Sequence, residues 1–203
     1  MEENRQEKKL TKRQRQALET EEKIYRAATM VINEKGLSNA TIQDITSRAG
    51  VSLGSFYSYF KSKESVVLYS FQNADQIYEK VYRKLPQSGF FDRITSFVRL
   101  SSSEYEKNGK GIIKAITSLY FVREDVDFYS QDRILIRCLA KIVEDGIEEG
   151  SLSGDYPFMY YVRLILIAMM GSETMWCFEE SDVSLSDIME EEVTKLARGM
   201  MGE

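Results

Sequence analysis

An all-α fold of about nine helices is predicted by three features of the chain. Its 203 residues contain only two prolines, Pro86 and Pro157, so long stretches lack the residue that interrupts helical hydrogen bonding. Apolar side chains recur at spacings of three and four, the period of one helical face. The breaks between these stretches are short and rich in glycine, serine and aspartate, as a compact helical bundle requires. The length suffices for a substantial core, read here as a small N-terminal head joined to a larger helical body.

Residues 1–18 are polar and mixed in charge, with Arg5, Lys8, Lys9, Lys12, Arg13 and Arg15 relieved only by Glu7 between residues 5 and 15. They are read as a flexible basic arm, either a DNA-contacting extension or a solvated tail. Ile24, Ala27, Ala28, Val31 and Ile32 then mark a helical face, and Gly36 stands where a C-cap belongs, so the first helix should end near Lys35. Thr41 and Asp44 have the spacing of a capping box and open a short helix that Gly50 interrupts. Ser52 caps a second short helix through Tyr59, and Ser62 opens a long one that Pro86 closes. Further helices are expected near residues 90–107, 110–122, 128–149, 157–179 and 185–200. The expected domains are the arm, a DNA-binding head at 19–65 and a body at 66–203.

Residues 41–60 meet the demands of a helix-turn-helix. Ile42, Ile45 and Ala49 supply the apolar face of the first helix, Gly50 the tight turn and Val51 a plug for the core. Ser52, Gly54 and Ser55 leave the groove-facing end of the second helix uncluttered, and Phe56 and Phe60 lock it onto the first. A net charge of -5 does not oppose this reading, because the charge is uneven: residues 1–63 carry 12 Lys and Arg against 8 Asp and Glu, and residues 64–203 carry 15 against 24. A basic head therefore sits on an acidic body.

The segment resembles the tetracycline-repressor (TetR) family of bacterial regulators. The family's pattern is matched by Thr41, Ile45, Ala49-Gly50-Val51-Ser52, Gly54, Tyr57, Phe60 and Ser62-Lys63-Glu64. Thr46 stands where alanine is usual, and its hydroxyl is expected to bond back to a helix carbonyl; Tyr59 stands where histidine is frequent. The resemblance covers roughly residues 20–65, and in the body Glu149-Gly150 with Asp155 looks like the family's helix-ending turn. It implies that Ser52, Leu53, Gly54 and Ser55 approach bases while Thr41, Tyr57, Tyr59 and Lys63 hold phosphates. No arginine lies between Ser52 and Phe60, so the commonest bidentate contact to guanine is unavailable, and methyl contacts, water bridges and groove shape gain weight.

A head this small reads one half-site, which argues for a homodimer on a palindromic operator of double-stranded DNA. Leu185, Ile188, Met189, Val193, Leu196, Ala197 and Met200 form an apolar stripe, and residues 164–171 are apolar all round. The candidate interface is Ile167, Met170, Ile188, Met189, Val193 and Leu196. Phe97, Tyr105, Tyr120, Phe121, Tyr129, Met169 and Trp176 lie on helices of the body, where rings and thioethers suit a largely apolar small molecule. Phe97, Tyr105, Tyr120, Met169 and Trp176 are the candidate ligand residues. The resemblance implies such an effector site, and repression relieved by the effector; no other cofactor and no metal is expected.

Other readings keep the fold but have the body bind a protein partner, or make the chain a helical enzyme. The absence of histidine removes the commonest general base and zinc ligand, and no phosphate loop is visible. Cys138 and Cys177 have no redox or zinc spacing and read as buried thiols. The most apolar run, Leu164 to Ser172, falls far short of the ~20 residues of a membrane span, so a cytoplasmic location with no membrane partner is expected.

Overall fold

The computed structural model describes residues 11–120, 122–127 and 129–202, and among them every regular element is helical. Two compact units divide the chain, residues 1–66 and 67–203.

In the first unit α1 spans Lys12–Asn39 and opens on a capping box, in which Thr11 Oγ1 accepts from the Gln14 amide and Gln14 Oε1 accepts from the Thr11 amide. Residues 12–18 are therefore helical, which shortens the expected arm; its Arg5, Lys8 and Lys9 lie outside the described residues. Gly36 takes φ 74° and ψ 158°, a conformation that favours glycine, and breaks the helix one residue after the expected end. A last turn follows, in which the Ala40 amide donates to the Gly36 carbonyl at 3.0 Å. The short helices α2 (Ile42–Ala49) and α3 (Leu53–Tyr59) come next. Ile24, Ala28, Val31 and Ile32 of α1 form one core with Ile45 of α2 and Phe56 of α3, all fully buried or nearly so. Burying each of the valine, isoleucine and phenylalanine side chains contributes about 1.5–3 kcal/mol relative to exposure. The boundary between the units falls within α4, Lys63–Tyr82.

The second unit continues with α5 (Phe90–Tyr105), a 3-10 turn at Glu106–Asn108, α6 (Lys110–Leu119), α7 (Ile134–Glu148), α8 (Phe158–Phe178) and α9 (Leu185–Met201). Helix α9 packs on α5 and α8, α7 on α5 and α8, and α6 on α8, around Phe97, Ile112, Ile113, Leu139, Ile142, Val162 and Val193. Gly146 allows α7 to approach α5, since a Cβ there would meet the buried Phe90 ring at 2.8 Å. Just beyond α7, Gly150 at φ 80° makes the turn and Glu149 Oε1 accepts from the Phe90 amide at 2.6 Å. Helix α6 stops at Leu119 and α7 starts only at Ile134, later than the apolar pattern suggested. Between them, Asp127 Oδ1 accepts from the Tyr129 amide and Ser130 Oγ from the Asp132 amide, local bonds that compete with helix formation. Among the described residues no helix is long and apolar enough to cross a membrane.

Candidate nucleic-acid interface

Residues 41–60 build a rigid reading element from local hydrogen bonds. Thr41 Oγ1 accepts from the Asp44 amide at 3.1 Å, and Asp44 Oδ2 accepts from both the Thr41 amide and hydroxyl. The Lys35 ammonium donates to Asp44 Oδ1 at 2.7 Å; it and Thr41 hold that carboxyl down to about 2. Arg48 reaches Glu34 through two parallel bonds of 2.5 and 2.7 Å. These two ion pairs join α1 to α2. Thr46 is buried, and its hydroxyl donates to the Gln43 carbonyl at 3.2 Å, so a threonine is accommodated where alanine would otherwise sit.

Gly50, at φ 64° and ψ 40°, ends α2 in the left-handed region. Val51 is half-buried behind it, its amide donating to the Thr46 carbonyl at 3.1 Å. Ser52 Oγ accepts from the Ser55 amide at 3.1 Å and starts α3. Phe56 and Phe60 are buried with ring centroids 6.0 Å apart, which orients α3 through its inner face. Its outer face carries Ser52, Gly54 and Ser58, all exposed, with Leu53 at 45% and Tyr57 at 51% exposure; Ser55 and Tyr59 are half-buried. Tyr57 also leans edge-on against Phe56, at 5.6 Å between centroids.

Two features here were not visible in the sequence. A Cβ built on Gly54 meets nothing nearer than Ser52 Oγ at 4.0 Å, so no internal packing requires glycine there. A helical glycine left exposed costs about 0.5–1 kcal/mol relative to alanine, and the empty space it provides faces outward. The second feature is the position of Lys63. Its ammonium donates to the carbonyls of Ser38 at 3.1 Å and Ala40 at 3.0 Å, orphan acceptors left where α1 ends. Lys61, two residues earlier, is exposed; a lysine just ahead of a helix start was the available signal for it.

The second unit sorts the remaining candidates. Tyr105, Tyr120, Tyr129 and Met169 line one cavity of about 50 Å³, together with Tyr78, Arg133 and Glu173. Phe97 is fully buried against Tyr78, at 6.2 Å between centroids, and is not in the cavity wall. Trp176 is also elsewhere: its Nε1 donates to the Val183 carbonyl at 2.8 Å and the Lys110 ammonium sits 4.6 Å from its ring. Phe121 lies outside the described residues. Glu173 was missed, because a lone glutamate in a helix ordinarily marks the solvent side, yet here it is buried.

Of the six interface candidates, Met189 and Val193 are buried inside this chain's own core and cannot meet a partner. Residues 185, 189, 193 and 197 turn inward against α5 and α8, and the stripe is wide enough to include both faces of α9. Ile188, Leu196 and Met170 are half-buried, and Ile167 is 59% exposed. Helix α8 adds Met175 and Phe178, the latter 71% exposed, to the same outward line.

Residues 24–69 match the family of bacterial regulatory proteins described as the tetR family. Over 46 residues the chain is 52% identical to the HTH-type transcriptional regulator YvdT of Bacillus subtilis (strain 168), a match covering 23% of this chain and 24% of that protein. The chain thus spans about a quarter of the length of that relative. Among solved structures it is similar in fold to the fatty acid degradation regulator FadR of Bacillus halodurans, with a TM-score of 0.72, 20% identity, and coverage of 89% of this chain and 95% of that one. FadR of Bacillus subtilis, solved in complex with stearoyl-CoA, gives a TM-score of 0.69 at 21% identity, covering 87% and 96% of the two chains.

Proposed function

Because residues 24–69 are the helix-turn-helix segment of a tetR-family transcriptional regulator, we propose that the chain is a ligand-responsive repressor that binds a palindromic operator as a homodimer and leaves it when a small effector binds. The observation that carries this reading is the outer face of α3. Ser52, Leu53, Gly54 and Tyr57 stand exposed on a helix whose other side is locked into a core, and the glycine among them answers no internal demand. A surface of short side chains with a gap at its centre suits close approach to base edges in the major groove. Thr41, Ser55, Tyr57, Tyr59 and Lys61 are the phosphate and groove contacts proposed around it.

Dimerisation is assigned to α8 and the outer side of α9. Ile167, Met175 and Phe178 are large apolar residues left exposed at helical spacing, and Gly171 between them permits close helix approach. The cavity in the second unit supports an effector site, and the FadR neighbour solved with stearoyl-CoA supports the same role for this fold. Effector and operator are coupled if the ligand prefers one of two states of the dimer. Helix α4, whose residues belong to both units and whose Tyr78 lines the cavity, is the element proposed to carry that coupling.

Mobility-shift titration against the DNA upstream of the chain's own gene tests the reading. A discrete complex that competitor DNA does not displace, and that a subset of small molecules dissolves, is expected. Binding no tighter to that DNA than to random duplex would overturn it.

A further inference from the structure

The cavity in the second unit contains two charged side chains with different surroundings. Arg133 is matched: its Nη2 lies 2.7 Å and its Nε 3.3 Å from the Asp75 carboxylate, and its guanidinium sits 3.7 Å from the Phe71 ring. Glu173, 8% exposed, shares the cavity with Arg133 but takes its hydrogen bonds from neutral hydroxyls. Its Oε1 accepts from the Thr117 hydroxyl at 3.0 Å and the Tyr120 hydroxyl at 3.3 Å. Burial pushes this carboxyl up to about 7, against the two hydrogen bonds that pull it down. The carboxylate in turn helps push up the phenols of Tyr78, Tyr105, Tyr120 and Tyr129.

A buried carboxylate whose hydrogen bonds come from neutral hydroxyls is costly unless a positive charge meets it. Four tyrosine rings around it offer further attraction to a cation. Taking the second unit to be the effector-binding body, we propose that the cavity receives the ammonium head of an amphipathic organic cation, with Glu173 as its counter-ion. The small volume suits a primary ammonium. An open depression of about 610 Å³, walled by Pro157, Met159, Tyr160 and the Arg163 side chain, shares Tyr129, Ile136, Leu166 and Met170 with the cavity and takes the apolar remainder of the molecule. An anionic head, or a bare alkyl chain, would leave Glu173 uncompensated.

Calorimetric titration of the full chain above neutral pH with 2-phenylethylamine, 2-phenylethanol and 3-phenylpropionate tests this directly. The amine binds at least about tenfold more tightly than the alcohol, and the carboxylate shows no binding; Glu173→Gln removes the preference for the amine while keeping its melting transition. Equal or tighter binding of the alcohol or the carboxylate, no amine binding at millimolar concentration, or a preference that survives Glu173→Gln overturns the proposal. The comparison of three ligands on the unaltered chain does not depend on how the variant folds. It also requires no DNA, so amine binding without operator release contradicts the repressor reading alone, and operator release by an anionic or neutral compound contradicts the cation alone.

Discussion

The ammonium of Lys63 donates to the carbonyl of Ala40 at 3.0 Å and to that of Ser38 at 3.1 Å, tying the first turn of α4 to the end of α1. A charge used in this way stabilises the head. Lys63→Met is therefore expected to lower stability by about 1.5–3 kcal/mol, the range for a hydrogen bond from a charged group, as read in urea melts. The slope of log affinity against log salt should stay unchanged. Lys61→Ala should do the opposite, reducing that slope by about 1 while leaving stability within about 0.5 kcal/mol. A reduced slope for Lys63→Met would return Lys63 to the phosphates.

Gly54 separates folding from reading. Gly54→Ala places a methyl where the chain itself has room, so stability should rise by about 0.5–1 kcal/mol. Operator affinity should fall by about 1–3 kcal/mol, the value of one good base contact. Denaturant melts and anisotropy titrations of the same preparation check both signs together.

Glu173 makes the second unit sensitive to pH. Its carboxyl is raised from 4.5 to about 7, so between those values the folded state holds a proton that the unfolded chain has released. Stability is then highest below about 4.5 and falls as pH rises toward 7, by on the order of 3 kcal/mol from this group. The groups facing it are Thr117 on α6, Tyr120 beyond it, Tyr105 on α5, Tyr78 on α4, and Tyr129 and Arg133 ahead of α7. Their phenols titrate well above this window and Arg133 stays charged, so Glu173→Gln should flatten the decline. Melting curves of both proteins from pH 4.5 to 7.5 measure the difference.

Assembly is expected to depend on the outward residues of α8. Ile167→Asp or Phe178→Asp should shift sedimentation from dimer to monomer at micromolar concentration while the melting transition of the monomer is retained. Met189→Ala should cost about 2–5 kcal/mol of stability and leave the assembly state alone, since Met189 is buried within one chain.

What could be read from the sequence was what neighbours in the chain decide. The Thr41–Asp44 box, the turn at Gly50, the Ser52 cap and the return bond of Thr46 all involve partners within five residues, so composition and spacing exposed them. Lys63 finds its acceptors 23 and 25 residues away, and spacing could not distinguish those carbonyls from a phosphate. Glu173 is explained only by Thr117 and Tyr120, more than 50 residues earlier. The stripe on α9 was seen correctly as apolar, but which side faces α5 depends on packing that periodicity alone does not specify. The late start of α7 came from Asp127 and Ser130, whose side chains bond the backbone and override an apolar pattern that continued through them.

The repressor proposed above uses α3 to read a specific DNA sequence in pairs. Footprinting of the purified chain across the DNA upstream of its own gene tests this most directly. Two protected half-sites with related, inverted sequences are expected, centred about 10 base pairs apart or a multiple of that spacing, and Tyr57→Ala and Gly54→Leu should erase both. Uniform protection along the duplex, or a footprint that both variants leave intact, would mean that α3 is not the sequence reader.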